Sequence, residues 1–139
     1  MPHHTREITI DTRGKGFYEV TAEITSWVAG LGVEEGLLTV FIQHTSASLL
    51  IQENADPDVV RDLETFFGKL VPEDSTLYTH TMEGPDDMPA HIRAALTQPQ
   101  ISIPIIGGRV TLGTWQGIYL FEHRDQSHRR CLSLHVSGV

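Results

Sequence analysis

The sequence predicts an α+β fold rather than an alternating α/β one, on three observations. Helical periodicity is concentrated in the middle of the chain, the last third reads as strand and turn, and polar turn signals are too regular to leave a linker. At 139 residues the whole chain, 1–139, matches one domain that buries roughly two-thirds of its unfolded surface, so no disulfide or metal is required for folding.

The first element alternates Ile8 and Ile10 with polar residues from Thr5 onward. Arg13-Gly14-Lys15-Gly16 then supplies turn chemistry before Phe17, Tyr18 and Val20, so an opening β-hairpin is expected. Thr21 is placed to cap a helix whose apolar face is Ile24, Trp27, Val28 and Leu31, with Gly32 as its stop. Leu37 to His44 carries the continuous run Val40-Phe41-Ile42 and reads as a strand covered on both faces, ending in His44-Thr45-Ser46-Ala47-Ser48.

Asp56-Pro57 reads as cap plus first helical position, ahead of a face formed by Val59, Val60, Leu63, Phe66, Phe67 and Leu70, with Pro72 beyond the end. The polar stretch from Pro72 to Asp87 holds Tyr78, His80, Glu83, Asp86 and Asp87, a length of loop that points to function. Pro89 opens a third, short helix through His91, Ile92, Ala95 and Leu96. Strands follow at Ile101 to Ile106, Arg109 to Leu112, Gly113 to His123 and Arg130 to Val136, separated by Gly107-Gly108 and by a polar turn from Asp125 to His128.

Charge narrows the partners. Lys plus Arg number 10 against 18 Asp plus Glu, a net charge of −8, and the basic residues are scattered, so neither nucleic acid nor an anionic membrane is expected. Cys131 is the single cysteine, which rules out an intrachain disulfide and a four-cysteine zinc module. Met1 to Thr5 lacks a basic start with an apolar run after it, and no stretch of about 18 apolar residues occurs. A cytoplasmic location is expected.

Among eight histidines, His44, His80 and His91 stand at element edges beside other polar groups. Neutral imidazole is the commonest metal ligand, and three of them leave a position open on a zinc-like ion; the alternative is three unrelated rings satisfied by carbonyls or solvent. Thr45, Ser46 and Ser48 offer hydroxyls to an anion or to their own turn, and no G-x-S-x-G elbow surrounds Ser46. Glu83, Asp86 and Asp87 are candidates to ligate a metal, move a proton or orient a histidine, or else form a solvated acidic loop. Gly113-Thr114-Trp115-Gln116-Gly117 interrupts an apolar strand with glycines, which suits a ligand platform or a packing bulge. Glu122 is a candidate base, while Arg124, Arg129 and Arg130 form surface ion pairs or a phosphate clamp. His123, His128 and His135 have no such company and fall outside the expected site, as do the terminal His3 and His4.

Taken together, His44-Thr45-Ser46-Ala47-Ser48-Leu49, Asn54-Ala55-Asp56-Pro57, Tyr78-Thr79-His80, Ala90-His91-Ile92 and Leu112-Gly113-Thr114-Trp115-Gln116-Gly117-Ile118-Tyr119 closely resemble the YjbQ-like family over nearly the whole chain. The resemblance implies an α+β fold built around a β-sandwich with about three helices, a homotrimer, and His44, His80 and His91 as metal positions. It also implies a thiamine-phosphate synthase that joins a pyrimidine pyrophosphate to a thiazole phosphate and expels pyrophosphate. Glu83, Gln116 and Glu122 are then the expected catalytic residues, and Thr45, Ser46, Ser48, Trp115 and Arg124 the expected contacts to a small phosphorylated substrate. Three neutral histidines suit zinc-like ions better than magnesium, the metal usually paired with pyrophosphate. Two other readings are a metal-dependent hydrolase of a small phosphorylated or acyl compound, and a non-catalytic trimeric binder of metal or small ligand. Gly84-Pro85-Asp86-Asp87-Met88-Pro89 looks longer than in many relatives, so no role passes to Asp86 or Asp87 by resemblance.

Overall fold

Two antiparallel sheets enclose one apolar layer that one of three helices closes at an end, in a computed structural model that describes residues 2–139. In chain order the elements are β1 (His3–Asp11), β2 (Gly16–Glu19), α1 (Thr21–Ala29), β3 (Glu35–Ile42), β4 (Ala47–Glu53) and α2 (Pro57–Leu70), then α3 (Asp87–Leu96), β5 (Gln100–Ile106), β6 (Arg109–Val110), β7 (Gln116–Glu122) and β8 (Arg129–Gly138). The larger sheet runs β1-β8-β3-β5-β6 and the smaller β2-β7-β4. The expected α+β class with a β-sandwich and three helices is what the chain forms.

Alternation supplies the core. Leu38, Val40 and Ile42 of β3 point inward beside Leu132, Leu134 and Val136 of β8. They meet Leu49 of β4 and Ile118 and Leu120 of β7, with Ile24 and Val28 of α1 closing one end. Each fully buried Leu or Ile side chain stabilises the fold by about 1.5–3 kcal/mol. The outward positions of β3, Leu37 and Phe41, are exposed, so this strand is covered on one face and not on both. Among the described residues, no helix is long and apolar enough to cross a membrane.

The expected opening hairpin does not form, because β1 pairs with β8 while β2 pairs with β7 in the other sheet. Thr12 explains the divergence. Its backbone N–H donates to His128 O at 2.8 Å and its hydroxyl to Glu122 at 2.6 Å, which pins the chain at the β7–β8 turn and redirects it between sheets. Thr21 likewise caps nothing through its side chain: its hydroxyl donates to Glu19 and accepts from Ile118 N, tying α1 to β2 and β7 of the smaller sheet.

At α2 the sequence reading holds, since Asp56 accepts from Asp58 N and Pro57 occupies the first turn. Helix α3 starts at Asp87, two residues before Pro89, and this shift puts the acidic pair of the preceding loop onto a helix. Gly107 and Gly108, at φ of 60° and 79°, make the β5–β6 turn. Strand β7 begins only at Gln116 and not at Gly113, because the Gln116 side-chain oxygen accepts from Gly113 N at 2.7 Å and holds the preceding residues in a turn.

Close strand approach gives one testable position. Gly36 of β3 faces Gly138 of β8, and a Cβ on Gly36 would stand 2.3 Å from Ser137 O, a backbone atom that cannot swing away. Gly36→Ala is expected to lose about 1–3 kcal/mol by overpacking, read as a lower urea midpoint with unchanged slope. An unchanged midpoint would remove this account of the glycine pair.

Candidate metal centre

Helix α3 carries Asp87 in its first turn and His91 one turn later, and i,i+4 spacing puts both on one face. His80 arrives from the loop before the helix. Its Nε2 lies 2.7 Å from Asp87 Oδ2, and His91 Nε2 lies 3.3 Å from the same oxygen. The two imidazole centroids are 5.5 Å apart. Among the described residues, this is the group of His, Cys, Asp and Glu whose ligand atoms converge, all within 4.8 Å of one another.

Surrounding contacts orient each donor. The Thr45 carbonyl can only accept, so the 3.0 Å contact to His91 Nδ1 puts the proton there and leaves Nε2 a lone pair directed at the cluster. Asp87 is 2% exposed at its side chain, and Arg124 Nη1 holds its Oδ1 at 2.6 Å, which reserves Oδ2 for the histidines. Arg124 also donates from Nε to Asp86 at 2.9 Å and from Nη2 to the Glu83 carbonyl at 3.0 Å. Burial works against its charge, yet the hydrogen bond and charge of Asp86 and the charge of Asp87 outweigh it and raise the Arg124 pKa. Asp86 is the converse: burial pushes it upward, and the hydrogen bonds from Asp125 N and Arg124 prevail to lower it.

The spacing fits a small divalent ion. Two ligands each about 2.0–2.1 Å from a tetrahedral zinc lie roughly 3.3 Å apart, which is the His91–Asp87 separation. The His80–Asp87 contact, at 2.7 Å against 3.3 Å, is 0.6 Å tighter. His80 is exposed and on a loop, so it can open by that amount.

His44 stands apart from this set. Its Nε2 accepts from Cys131 N at 2.8 Å, which aims the ring at β8, although its side chain borders the same groove as Thr45 and His91. Burial, then the charge of Arg130, lowers the His44 pKa and keeps the ring neutral as an acceptor. The geometry thus groups His80 and His91 with Asp87 and leaves His44, expected as the third metal position, outside that cluster. Asp87 stands among the acidic candidates of the loop, but its i,i+4 relation to His91 becomes readable only once the helix is known to begin before Pro89.

The expected catalytic and substrate-binding residues disperse. Glu122 is fully buried, with Oε1 accepting from Thr12 and Arg130 Nε and Oε2 from His123 N, Arg124 N and Arg130 Nη2. Burial pushes its pKa up, but the Arg130 and Thr12 hydrogen bonds override this and lower it, so no lone pair remains for a proton. Arg130 is thus a buried ion-pair partner and not a surface one. Gln116 and Trp115 sit at the other end of β7, about 20 Å from Glu122 at the usual rise per residue. Gly117, between them and the core, is there because a Cβ would meet Glu19 and Asn54 within 3.0 Å, which supports packing over a ligand platform. Ser46 accepts from Arg130, Ser48 bonds His123, and Thr45 uses its carbonyl for His91. Glu83 is exposed and engaged through its carbonyl, and Arg124 is engaged by acidic residues, which leaves it no free fork for phosphate.

The fold and cluster together define an α+β sandwich protein with an open site of two histidines and one carboxylate on the rim of α3. The family described as UPF0047 protein YjbQ-like matches residues 6–139, and the chain belongs to it. The chain is 55% identical over 135 residues to the UPF0047 protein sll1880 of Synechocystis sp., covering 97% of this chain and 92% of that one. It is 48% identical to the UPF0047 protein YjbQ of Salmonella typhimurium, over 97% and 98% of the two chains. An uncharacterized conserved YjbQ/UPF0047 protein of Clostridium acetobutylicum superposes with TM-score 0.86 at 34% identity, over 95% of this chain and 99% of that one. A YbjQ-like protein of unknown function from Sulfolobus solfataricus shares the fold at TM-score 0.86 and 18% identity, over 99% and 100%. These relatives bear only family names or an unknown function, so the thiamine-phosphate synthase reading drawn from the resemblance is withdrawn.

Proposed function

We propose that the protein binds a divalent, zinc-like metal ion through His80, Asp87 and His91, with coordination positions left open to water and to an oxygen ligand such as a small phosphorylated compound. The carrying observation is the convergence of both Nε2 atoms on Asp87 Oδ2 while Arg124 occupies the other oxygen. Two imidazoles and one carboxylate favour zinc or a similar ion over magnesium, which prefers oxygen ligands. A bound ion of this kind polarises a ligated oxygen and lowers the pKa of bound water. The chain's own residues supply orientation: Thr45 fixes the His91 tautomer and Arg124 fixes the carboxylate. The reading extends to self-association as a homotrimer in the cytoplasm, supported by Leu37, Phe41 and Ile106 exposed on the larger sheet and by Cys131 standing as a free thiol.

Native mass spectrometry after dialysis against zinc and removal of excess metal tests both parts. One ion per chain is expected, and Asp87→Asn should weaken binding at least 100-fold, whereas Arg124→Gln should weaken it about 10–100-fold as an outer-shell change. Absence of stoichiometric metal, or unchanged affinity in Asp87→Asn, overturns the metal reading; monomer or dimer masses overturn the trimer alone.

A further inference from the structure

Arg93 follows His91 by two residues on α3, about 200° around the helix axis, so it faces away from the metal cluster. There it lines a cavity of about 450 Å³ together with Lys15, Glu64, Phe67, Phe121 and His123. That volume lies in the range of small-molecule sites.

Two buried polar groups in its wall are unsatisfied. Arg93 is 5% exposed; among the described residues its guanidinium makes one hydrogen bond, from Nη2 to Val71 O at 2.8 Å, and its buried Nε has no acceptor. No carboxylate bonds it, since Lys15 pairs with Glu73 and Asp125, and Asp86 pairs with Arg124. The charges of Asp125 and Asp86 reach Arg93 without a hydrogen bond, and a buried guanidinium bonded to a carbonyl alone is costly unless an anion joins it. His123 is 1% exposed, and its Nδ1 also lacks a partner.

The hydrogen-bond chain behind His123 sets the character of that nitrogen. His123 Nε2 contacts Ser48 Oγ at 2.9 Å, Ser48 contacts Thr97 Oγ1 at 2.6 Å, and Thr97 contacts the Arg93 carbonyl at 2.8 Å. The carbonyl can only accept, so every member is satisfied when protons run from Nε2–H to Ser48, from Ser48 to Thr97 and from Thr97 to Arg93 O. Nδ1 is then a bare acceptor. Burial, then the Arg93 charge, lowers the His123 pKa to about 3, so the ring stays neutral and keeps that lone pair.

We propose that this cavity binds a small carboxylate bearing a hydroxyl or amino donor on the adjacent carbon, its carboxylate on Arg93 and its donor on His123 Nδ1, with Phe67 and Phe121 against its apolar part. A guanidinium fork matches the carboxylate, the free lone pair matches the donor, and the aromatic rings match a short side chain.

Calorimetric titration of metal-stripped protein with lactate, alanine and acetate tests it. Saturable binding of lactate or alanine at one per chain is expected, with acetate at least 10-fold weaker because it leaves Nδ1 unmet. Arg93→Lys should weaken binding at least 10-fold with the circular dichroism spectrum retained. Independently of any variant, the Nδ1 resonance of His123 should shift on addition of the bound probe. Failure of lactate and alanine to bind, equal binding of acetate, or an unmoved Nδ1 resonance overturns the proposal. So does a crystal grown in lactate that shows only a water joining Arg93 Nε to His123 Nδ1.

Discussion

Glu122→Ala is expected to lower the unfolding free energy by about 3–5 kcal/mol, because it strands the Arg130 charge in the interior. Arg130 is 3% exposed and Glu122 is fully buried. Besides Glu122, the buried guanidinium would keep only Ser46, through its hydroxyl at 3.0 Å and its carbonyl at 3.3 Å. The glutamate also accepts from Thr12, His123 N and Arg124 N, so its loss frees the pin that separates β1 from β2 and the backbone that sets Arg124. A double replacement, Glu122→Leu with Arg130→Met, should lose less than Glu122→Ala alone, since it removes both desolvated charges. Urea unfolding of the wild type, Glu122→Leu, Arg130→Met and the double variant, with Glu122→Ala beside them, reads the coupling directly. A loss below about 1 kcal/mol for Glu122→Ala would mean that water reaches Arg130, and the buried-pair account would fail.

Local signals carried most of the fold. Asp56-Pro57, the Ile24/Val28 face and Gly107-Gly108 each act through neighbours within a few residues, so their elements form near where the sequence places them, although α1 ends at Ala29 and not at the expected stop, Gly32. The failures are long-range. Nothing within Arg13 to Gly16 shows that Thr12 will bond Glu122, 110 positions away, and so the hairpin reading could not be corrected locally. Phe41 and Leu37 sit in an apolar run that looks doubly covered, yet covering needs a second layer that periodicity cannot supply. The site divides in the same way. His80 and His91 were visible as polar edge residues, whereas the choice of Asp87 over His44 depends on where α3 begins and on Cys131 N claiming the His44 lone pair. Glu122 reads as a candidate base and His123 as lying outside the site, and only the packing of β7 against β2 and β4 reveals that both are interior.

His123 predicts how the fold responds to acid. Burial, followed by the Arg93 charge, holds its pKa at about 3 against an ordinary 6.5. The unfolded chain therefore takes up a proton between those values that the folded chain refuses, so stability is full above about pH 6.5 and declines as pH falls toward 3. The slope is a little over ~1 kcal/mol per pH unit while only the unfolded state titrates. His44, lowered by burial and by Arg130, adds in the same direction. The depressed carboxyls of Glu122 and Asp86 withdraw their own stabilisation only lower, as pH drops through the ordinary carboxylate range toward their folded values. Urea midpoints at pH 7, 6, 5 and 4 should thus fall monotonically, beginning well above the carboxylate range. His123→Gln, which can still donate to Ser48, should start less stable at pH 7 yet decline less steeply between pH 6.5 and 4.5. Equal slopes in the two proteins would show that water or a counter-charge reaches the His123 ring and that its burial does not govern acid unfolding.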